Sequence, residues 1–393
     1  VIGVPERITK KKVRPKVENQ FGVMFWKKCC LKPKKAEKTR TTVWPPKFHP
    51  YIEVVSDKKK GAGKRKANCQ DTLTDYQDMR FRMTLIAVYD GHGTFGLEAS
   101  QQANDYIARA IKKNQDALMR MEFREDVEAF LYKTFMESHA SLKKNRRDYN
   151  VSGTCAILVL VILDAVYICN CGDSRAVMSS INQAGQVEAL ELSIDHKPGR
   201  SDERLRVENS KGKIEPASGQ KDGTLRVWQL EGEGPGIAVT RSIGDLLAHK
   251  IGVSEEPEIS FKRLNNNDEF IVLASDGIWD VMTSAEVVGF IKRQKENKAR
   301  AAHKLVEECV ERWKKNNECE ETDDDFKRDD ISAVIAYLDF ETDPATVQHK
   351  AILKEEKKHD NHDGKSSHKK KKKSKKNLSF AASVGDPKED RAQ

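Results

Sequence analysis

Between residues 51 and 340 the apolar positions fall into two kinds of pattern. Short runs closed by glycine-containing turns read as strands over 51–55, 83–89, 154–163, 165–170, 176–179, 236–241, 269–274 and 331–340. Residues 97–115 and 124–144 read as helices, with Ala103, Ile107 and Ile111 recurring on one face. A further helix is expected to start at Thr283 or Ser284, both capping residue types. The stripe Ala301, Leu305, Cys309 and Val310 continues the helical signal up to an acidic break at 318–325. Strand segments often follow one another with no helix between them, which favours antiparallel pairing. The pattern therefore predicts an α+β domain of layered sheets and helices. Residues 198–236 are rich in Gly, Lys and Glu, show little periodicity and exceed ordinary loop length, so they read as a flap or lid.

Charge refines this division. The chain of 393 residues carries a net charge of +9, but residues 1–50 account for +11 and residues 341–393 for +5, leaving −7 for the body. The expected organisation is a basic N-terminal extension over 1–50, a catalytic domain over 51–340, and a basic, disordered tail over 341–393. A folded surface that grips nucleic acid is not expected, because the basic character sits at the ends. Those ends suit contact with an anionic membrane surface or a nuclear-import address, the latter through the lysine run 369–373. Cys29 and Cys30, flanked by lysines, suit palmitoylation.

Eight cysteines without a spaced framework point to a reducing compartment, hence an intracellular protein of cytoplasm or nucleus, expected as a monomer. The longest apolar run, 156–163, has strand length and ends at Asp164. No run approaches the roughly 18 residues of a membrane span.

The chemistry is carried by aspartates. Asp90, Asp173 and Asp276 each stand where an apolar strand gives way to a turn, beside Gly91, Gly172 and Gly277. Asp71 follows a basic turn, and Asp329 and Asp330 precede the closing strand. Any one of them is an ordinary turn residue. Gathered at strand ends they would repel one another unless protons or cations intervene. Hard oxygen ligands select Mg²⁺ or Mn²⁺, and the cysteines form no spaced set with histidines that would hold structural zinc.

Eight ordered blocks then carry a resemblance. They are Asn68-Cys69-Gln70-Asp71, Asp90-Gly91-His92-Gly93, Ser152-Gly153-Thr154, Gly172-Asp173-Ser174-Arg175, Asp195-His196-Lys197-Pro198, Thr240-Arg241-Ser242-Ile243-Gly244-Asp245, Ala274-Ser275-Asp276-Gly277-Ile278-Trp279-Asp280, and Arg328-Asp329-Asp330-Ile331-Ser332. Over roughly residues 50–340 the chain resembles the PPM family, the type 2C protein phosphatases. The resemblance implies a layered αββα fold, two antiparallel β-sheets in a sandwich flanked by helices. It also implies hydrolysis of phosphoserine and phosphothreonine in proteins by a metal-activated water.

Carried onto this sequence, the resemblance gives Asp71, Asp90, Asp276 and Asp329 as carboxylate ligands of a two-metal centre, with the Gly91 carbonyl. Asp173 and Asp280 match a third, weaker metal site, and His92 matches the general acid. Two positions depart from the pattern. Lys66 stands where many relatives carry a phosphate-gripping arginine, keeping the charge and losing the bidentate fork. Gln70 replaces an acidic residue beside Asp71, lowering the negative charge of the cluster. From these departures and the basic ends, a non-enzymatic interaction or regulatory module that uses a phosphatase fold is the alternative reading.

Overall fold

Every residue of the strand Gly153–Ile162 is buried, which explains why this stretch reads as an unbroken apolar run. Both of its faces are covered. The computed structural model describes residues 50–62, 68–145, 147–217, 223–231, 234–317 and 327–340. The expected extension up to residue 49, the tail, Cys29, Cys30 and Lys66 lie outside the described residues.

In chain order the elements open with β1 (Tyr51–Lys59), β2 (Thr72–Asp78), β3 (Met83–His92), α1 (Gly96–Lys113), α2 (Gln115–Arg120) and α3 (Arg124–Lys143). Next come β4 (Gly153–Ile162), β5 (Ala165–Cys171), β6 (Arg175–Ile181), β7 (Val187–Glu191) and α4 (Ser201–Asn209). The short strands β8 (Gly212–Pro216), β9 (Leu225–Gln229), β10 (Pro235–Ile237) and β11 (Ile243–Gly244) follow, and then β12 (Glu258–Arg263) and β13 (Asp268–Ala274). The elements α5 (Asp276–Trp279), α6 (Ser284–Arg293), α7 (Ala301–Asn317) and β14 (Ile331–Asp339) complete the order. Among the described residues, no helix is long and apolar enough to cross a membrane.

Two antiparallel sheets form the sandwich. One has the order β1-β14-β13-β6-β7; the other has β12-β5-β4-β3-β2, with β11 paired to β4. Alternation along the strands sorts the side chains into layers. Ile86, Val88, Ile157, Val159 and Ile168 of the second sheet meet Ile271, Leu273, Val334 and Ala336 of the first to make the inner core. On the outer face of the second sheet, Leu85, Ala87, Tyr89, Leu158 and Leu160 pack with Ala103, Ile107, Leu131 and Phe135 of α1 and α3. On the outer face of the first, Val272, Ala274 and Ile335 pack with Val287, Ile291, Leu305 and Cys309 of α6 and α7. The result is the expected αββα layering. Truncating one of these residues, for instance Leu273→Ala, is expected to cost about 2–5 kcal/mol.

The start of α6 is fixed by a capping box. Thr283 accepts from the Glu286 backbone N–H, and the Glu286 carboxylate accepts from the Thr283 N–H.

The segment 198–236 corrects the expectation of an aperiodic loop. It contains α4 and a three-stranded sheet of order β10-β9-β8. A small core shared with the residues that follow supports them, built from Val207, Val227, Ala248, Ile251 and Val253 with Ile214 and Ile237 packed on it. The strand expected over 236–241 is shorter and earlier, as β10.

Candidate metal centre

Strand register brings the aspartates together. Thr72 pairs with Tyr89, so Asp71 and Asp90 stand at the same end of β2 and β3. Asp90 pairs with Cys155, and Ala156 with Cys171, which carries the row across to the turn holding Asp173. In the other sheet Ala274 pairs with both Arg175 and Ala333, so Asp173, Asp276 and Asp329 sit at the corresponding end. Both sheets therefore deliver carboxylates to one edge of the sandwich.

The tightest grouping is Asp90, Asp173 and Asp276, whose nearest oxygens all lie within 4.8 Å of one another. Asp71 is fully buried behind them and accepts a hydrogen bond from Ser275 Oγ at 3.1 Å. Asp329 lines the cleft above. Asp280 follows α5 and donates its backbone N–H to the Asp276 carbonyl at 2.8 Å, so it stands near the group but does not line the cleft. Gly91 is required by close approach: a Cβ there would lie 2.6 Å from the Gln70 carbonyl oxygen and would collide with the Gly96 carbonyl.

Electrostatics makes this cluster suited to hold a cation. Burial, reinforced by Asp330 and Asp329, pushes the Asp71 carboxyl up to about 7. Burial and then the charges of Asp276 and Asp71 hold Asp90 well above the usual carboxylate range. Burial and Asp173 do the same for Asp276, and burial raises Asp280. One oxygen each of Asp71 and Asp276 is buried with no hydrogen-bond partner. Orphaned acceptors and mutually repelling carboxylates are what divalent, oxygen-preferring cations satisfy. The residues present fit such ions.

Asp173 is the exception in sign. Burial pushes its pKa up, but the ion-paired Lys197 ammonium outweighs burial and leaves it lowered. Cys155 Sγ also donates to Asp173 Oδ1 at 3.2 Å. Lys197 belongs to a block whose three side chains all brace the Asp173 turn. Asp195 takes a two-pronged hydrogen bond from Arg175 at 2.9 and 2.7 Å, and His196 Nδ1 accepts from the Gly172 N–H at 3.1 Å.

His92 stands on the rim of a cleft of about 480 Å³, with its Nε2 2.7 Å from Asp245 Oδ2. Burial pulls its pKa down, yet the Asp245 charge and hydrogen bond win and raise it. Asp245 also accepts from Ser242 Oγ at 2.7 Å. Gly153 is required here, because the Asp245 carboxylate occupies the position that a Cβ would take. Residue types alone gave Asp245 and Lys197 no role, although both lie inside the ordered blocks. Nothing local marks a carboxylate whose partner is 153 positions away.

The two departures fall differently. Gln70 Nε2 donates to the Gly93 carbonyl at 2.8 Å, bracing the turn after His92. Its backbone N–H donates to Asp330 Oδ2 at 2.8 Å, while Asp330 Oδ1 accepts from the Gly61 N–H. Asp330 is thus a backbone clip, in contrast to its neighbour Asp329. Arg226, Pro235, Gly236 and Ile237 of the three-stranded sheet line the same cleft, which puts the flap beside the site.

A two-sheet sandwich with outer helices thus carries, at one edge, a buried carboxylate group that fits divalent cations. The family model for Protein phosphatase 2C matches residues 58–318. Among curated relatives, "Probable protein phosphatase 2C 73" of Arabidopsis thaliana is 29% identical over 284 residues, covering 68% of this chain and 74% of the relative. "Probable protein phosphatase 2C 34" of the same organism is 30% identical over 267 residues, covering 65% and 72%. The crystal structure of serine-threonine phosphatase 2C from Toxoplasma gondii shares the fold at a TM-score of 0.60 and 18% identity, covering 76% of this chain and 98% of that one. The chain belongs to the protein phosphatase 2C family and is a metal-dependent protein serine/threonine phosphatase.

Proposed function

We propose that the acidic edge of the sandwich holds two divalent cations, Mg²⁺ or Mn²⁺, through Asp71, Asp90, Asp276, Asp329 and the Gly91 carbonyl. Asp173 and Asp280 belong to a third, weaker site. The observation that carries this reading is the buried carboxylate group with unpartnered oxygens on Asp71 and Asp276. When bound, such a pair of ions activates a water for in-line attack and offsets the negative charge of the phosphoryl group.

The chain's own residues supply the rest. Lys197 offsets one carboxylate charge before any ion arrives. Asp245 holds His92 through Nε2 and favours its imidazolium form. Nδ1 of His92 is then the atom that carries a proton to the departing serine or threonine oxygen. Lys66 remains a candidate for the phosphate grip, and its replacement by Arg is expected to lower KM if the fork geometry matters.

Phosphate release from a phosphothreonine peptide, titrated with Mn²⁺ and with Mg²⁺, tests the centre. Asp276→Asn is expected to abolish the metal-dependent rate; equal activity with and without ions would sink the reading. The charge division supports a second proposal, that the basic ends outside the described residues contact anionic surfaces. Salt-sensitive sedimentation with phosphatidylserine vesicles tests it, and binding unchanged after removal of residues 1–49 and 341–393 would refute it.

A further inference from the structure

Strand β9 of the flap presents its side chains alternately to two sides. Val227 packs into the small core with Val207 and Ile251, so Arg226 and Trp228 face the other way. Arg226 lines the cleft that also holds His92 and the aspartates. Among the described residues of that lining it is the only lysine or arginine, against the five aspartates Asp90, Asp173, Asp245, Asp276 and Asp329.

Part of its position has a structural explanation. Arg226 Nη1 donates to the Gly236 carbonyl at 2.8 Å, and the Trp228 ring packs on Gly236 so closely that a Cβ there would lie 2.5 Å from Cζ3. These contacts steady the guanidinium against the loop that follows β9. They use one of its five N–H groups. Glu215 stands directly opposite Arg226 in the β8–β9 register, but its carboxylate takes the Lys213 ammonium at 3.1 Å. Among the described residues no carboxylate pairs with Arg226, so the fork is oriented while its charge is left without a counter-ion.

We propose that Arg226 reads a second anionic group of the substrate, the side chain of an aspartate or glutamate beside the phosphorylated residue. The proposal rests on the reading of this cleft as the catalytic one. In that reading the reacting phosphoryl group sits at the acidic edge, beside His92, whereas Arg226 stands on the flap. The cleft volume of about 480 Å³ is of the size that encloses a small molecule whole, so it has room for more than a phosphoryl group. Along the rest of its wall the aspartates repel a substrate carboxylate, and the side chains of Pro235, Ile237 and Val239 offer it no donor. The guanidinium is left, and its planar fork matches a carboxylate. Such a contact, made equally in the bound state and the transition state, acts on KM and not on kcat.

The test compares three phosphothreonine peptides on the full chain with Mn²⁺, their flanking positions filled by glutamate, alanine or lysine. The unmodified protein is expected to favour the glutamate peptide over the alanine peptide by on the order of tenfold in kcat/KM, carried by KM. Arg226→Gln should bring that ratio close to unity, and Arg226→Glu should turn the preference toward lysine. A loosened flap does not invert a preference, so the second variant separates recognition from bracing. Hydrolysis of p-nitrophenyl phosphate, which has no flanking residue, reports on the metal centre by itself. Absence of any preference in the unmodified protein, with that hydrolysis present, would overturn the proposal and leave the metal centre standing. An equal fold-loss on all four substrates in Arg226→Gln would overturn it too, because the guanidinium would then serve the reacting phosphate or the fold of the flap.

Discussion

Asp245 and His92, 153 positions apart, are joined at the rim of the cleft by a contact of 2.7 Å between Oδ2 and Nε2. This leaves Nδ1 of His92 as the nitrogen not engaged by Asp245, and in the proposed mechanism Asp245 is a positioning residue. His92→Ala is expected to lower kcat for a phosphothreonine peptide by about 100-fold or more. It should lower kcat far less for p-nitrophenyl phosphate, whose leaving oxygen needs no proton. Asp245→Asn should show the same leaving-group dependence at smaller amplitude. Equal losses on both substrates would remove the proton-donor role.

Repulsion among the buried carboxylates makes a counter-intuitive prediction about stability. In chelator-treated protein, Asp71→Asn is expected to raise the thermal midpoint, because it removes one member of a like-charged group. With Mn²⁺ at about 100 times its Kd, the unmodified protein should gain about 2.7 kcal/mol by mass action. The variant should gain less. Calorimetric scans with and without Mn²⁺ read both effects, and a destabilised chelated variant would contradict the account.

Lys197 holds Asp173 in an ion pair, and in the proposed third site it would compete with the ion. Lys197→Met removes the ammonium from the ion pair and leaves one more negative charge facing the cleft. The concentration of Mn²⁺ at half-maximal phosphate release is expected to fall by about tenfold, the equivalent of one pKa unit of interaction. An increase would mean that Lys197 organises the site rather than competing for it.

A pH effect on stability is expected from Glu203, which is fully buried between Arg206 and Arg241. Burial pushes its carboxyl up, but hydrogen bonds from Arg206, Arg241 and Thr240 hold it far below the ordinary 4.5. Its folded pKa lies below the unfolded one. The stability it contributes is therefore complete above about 4.5 and is lost as pH falls toward the folded value. Glu203→Gln should cost about 3–5 kcal/mol at neutral pH. It should also flatten the acid limb of a urea-denaturation series, and an unchanged limb would exclude Glu203 as its source.

Legibility followed burial. Residues covered on both faces, as in β4 and along most of β3 and β13, read directly as strands, although the expected turn at Asp90-Gly91 is a continuation of β3 and that at Asp276-Gly277 is the start of α5. The edge strands β2, β7 and β12 did not, because one flank is open and residues such as Asp75, Glu188 and Lys262 break the apolar signal. The segment 198–236 was mistaken for loop because its strands are short and rest on a small core around Val207 and Val227. In the site, Asp90, Asp173 and Asp276, which the structure brings together, were legible through their places in ordered blocks. The division of labour between Asp329 and Asp330, the Lys197 ion pair and the Asp245 contact were not, since each depends on a partner remote in sequence.

The carboxylates come from both sheets, Asp71 and Asp90 from one and Asp276 and Asp329 from the other, with Asp173 on the turn that crosses between them. Ions held there as proposed would bridge the sandwich in the manner of a staple at its edge. Sliding one sheet over the other by a fraction of a strand repeat would pull the ligands out of reach of a common ion. Cation affinity thus becomes a gauge of sheet alignment, and a substitution deep between the sheets, at Val88 or Leu273, can be felt at the phosphate without touching it.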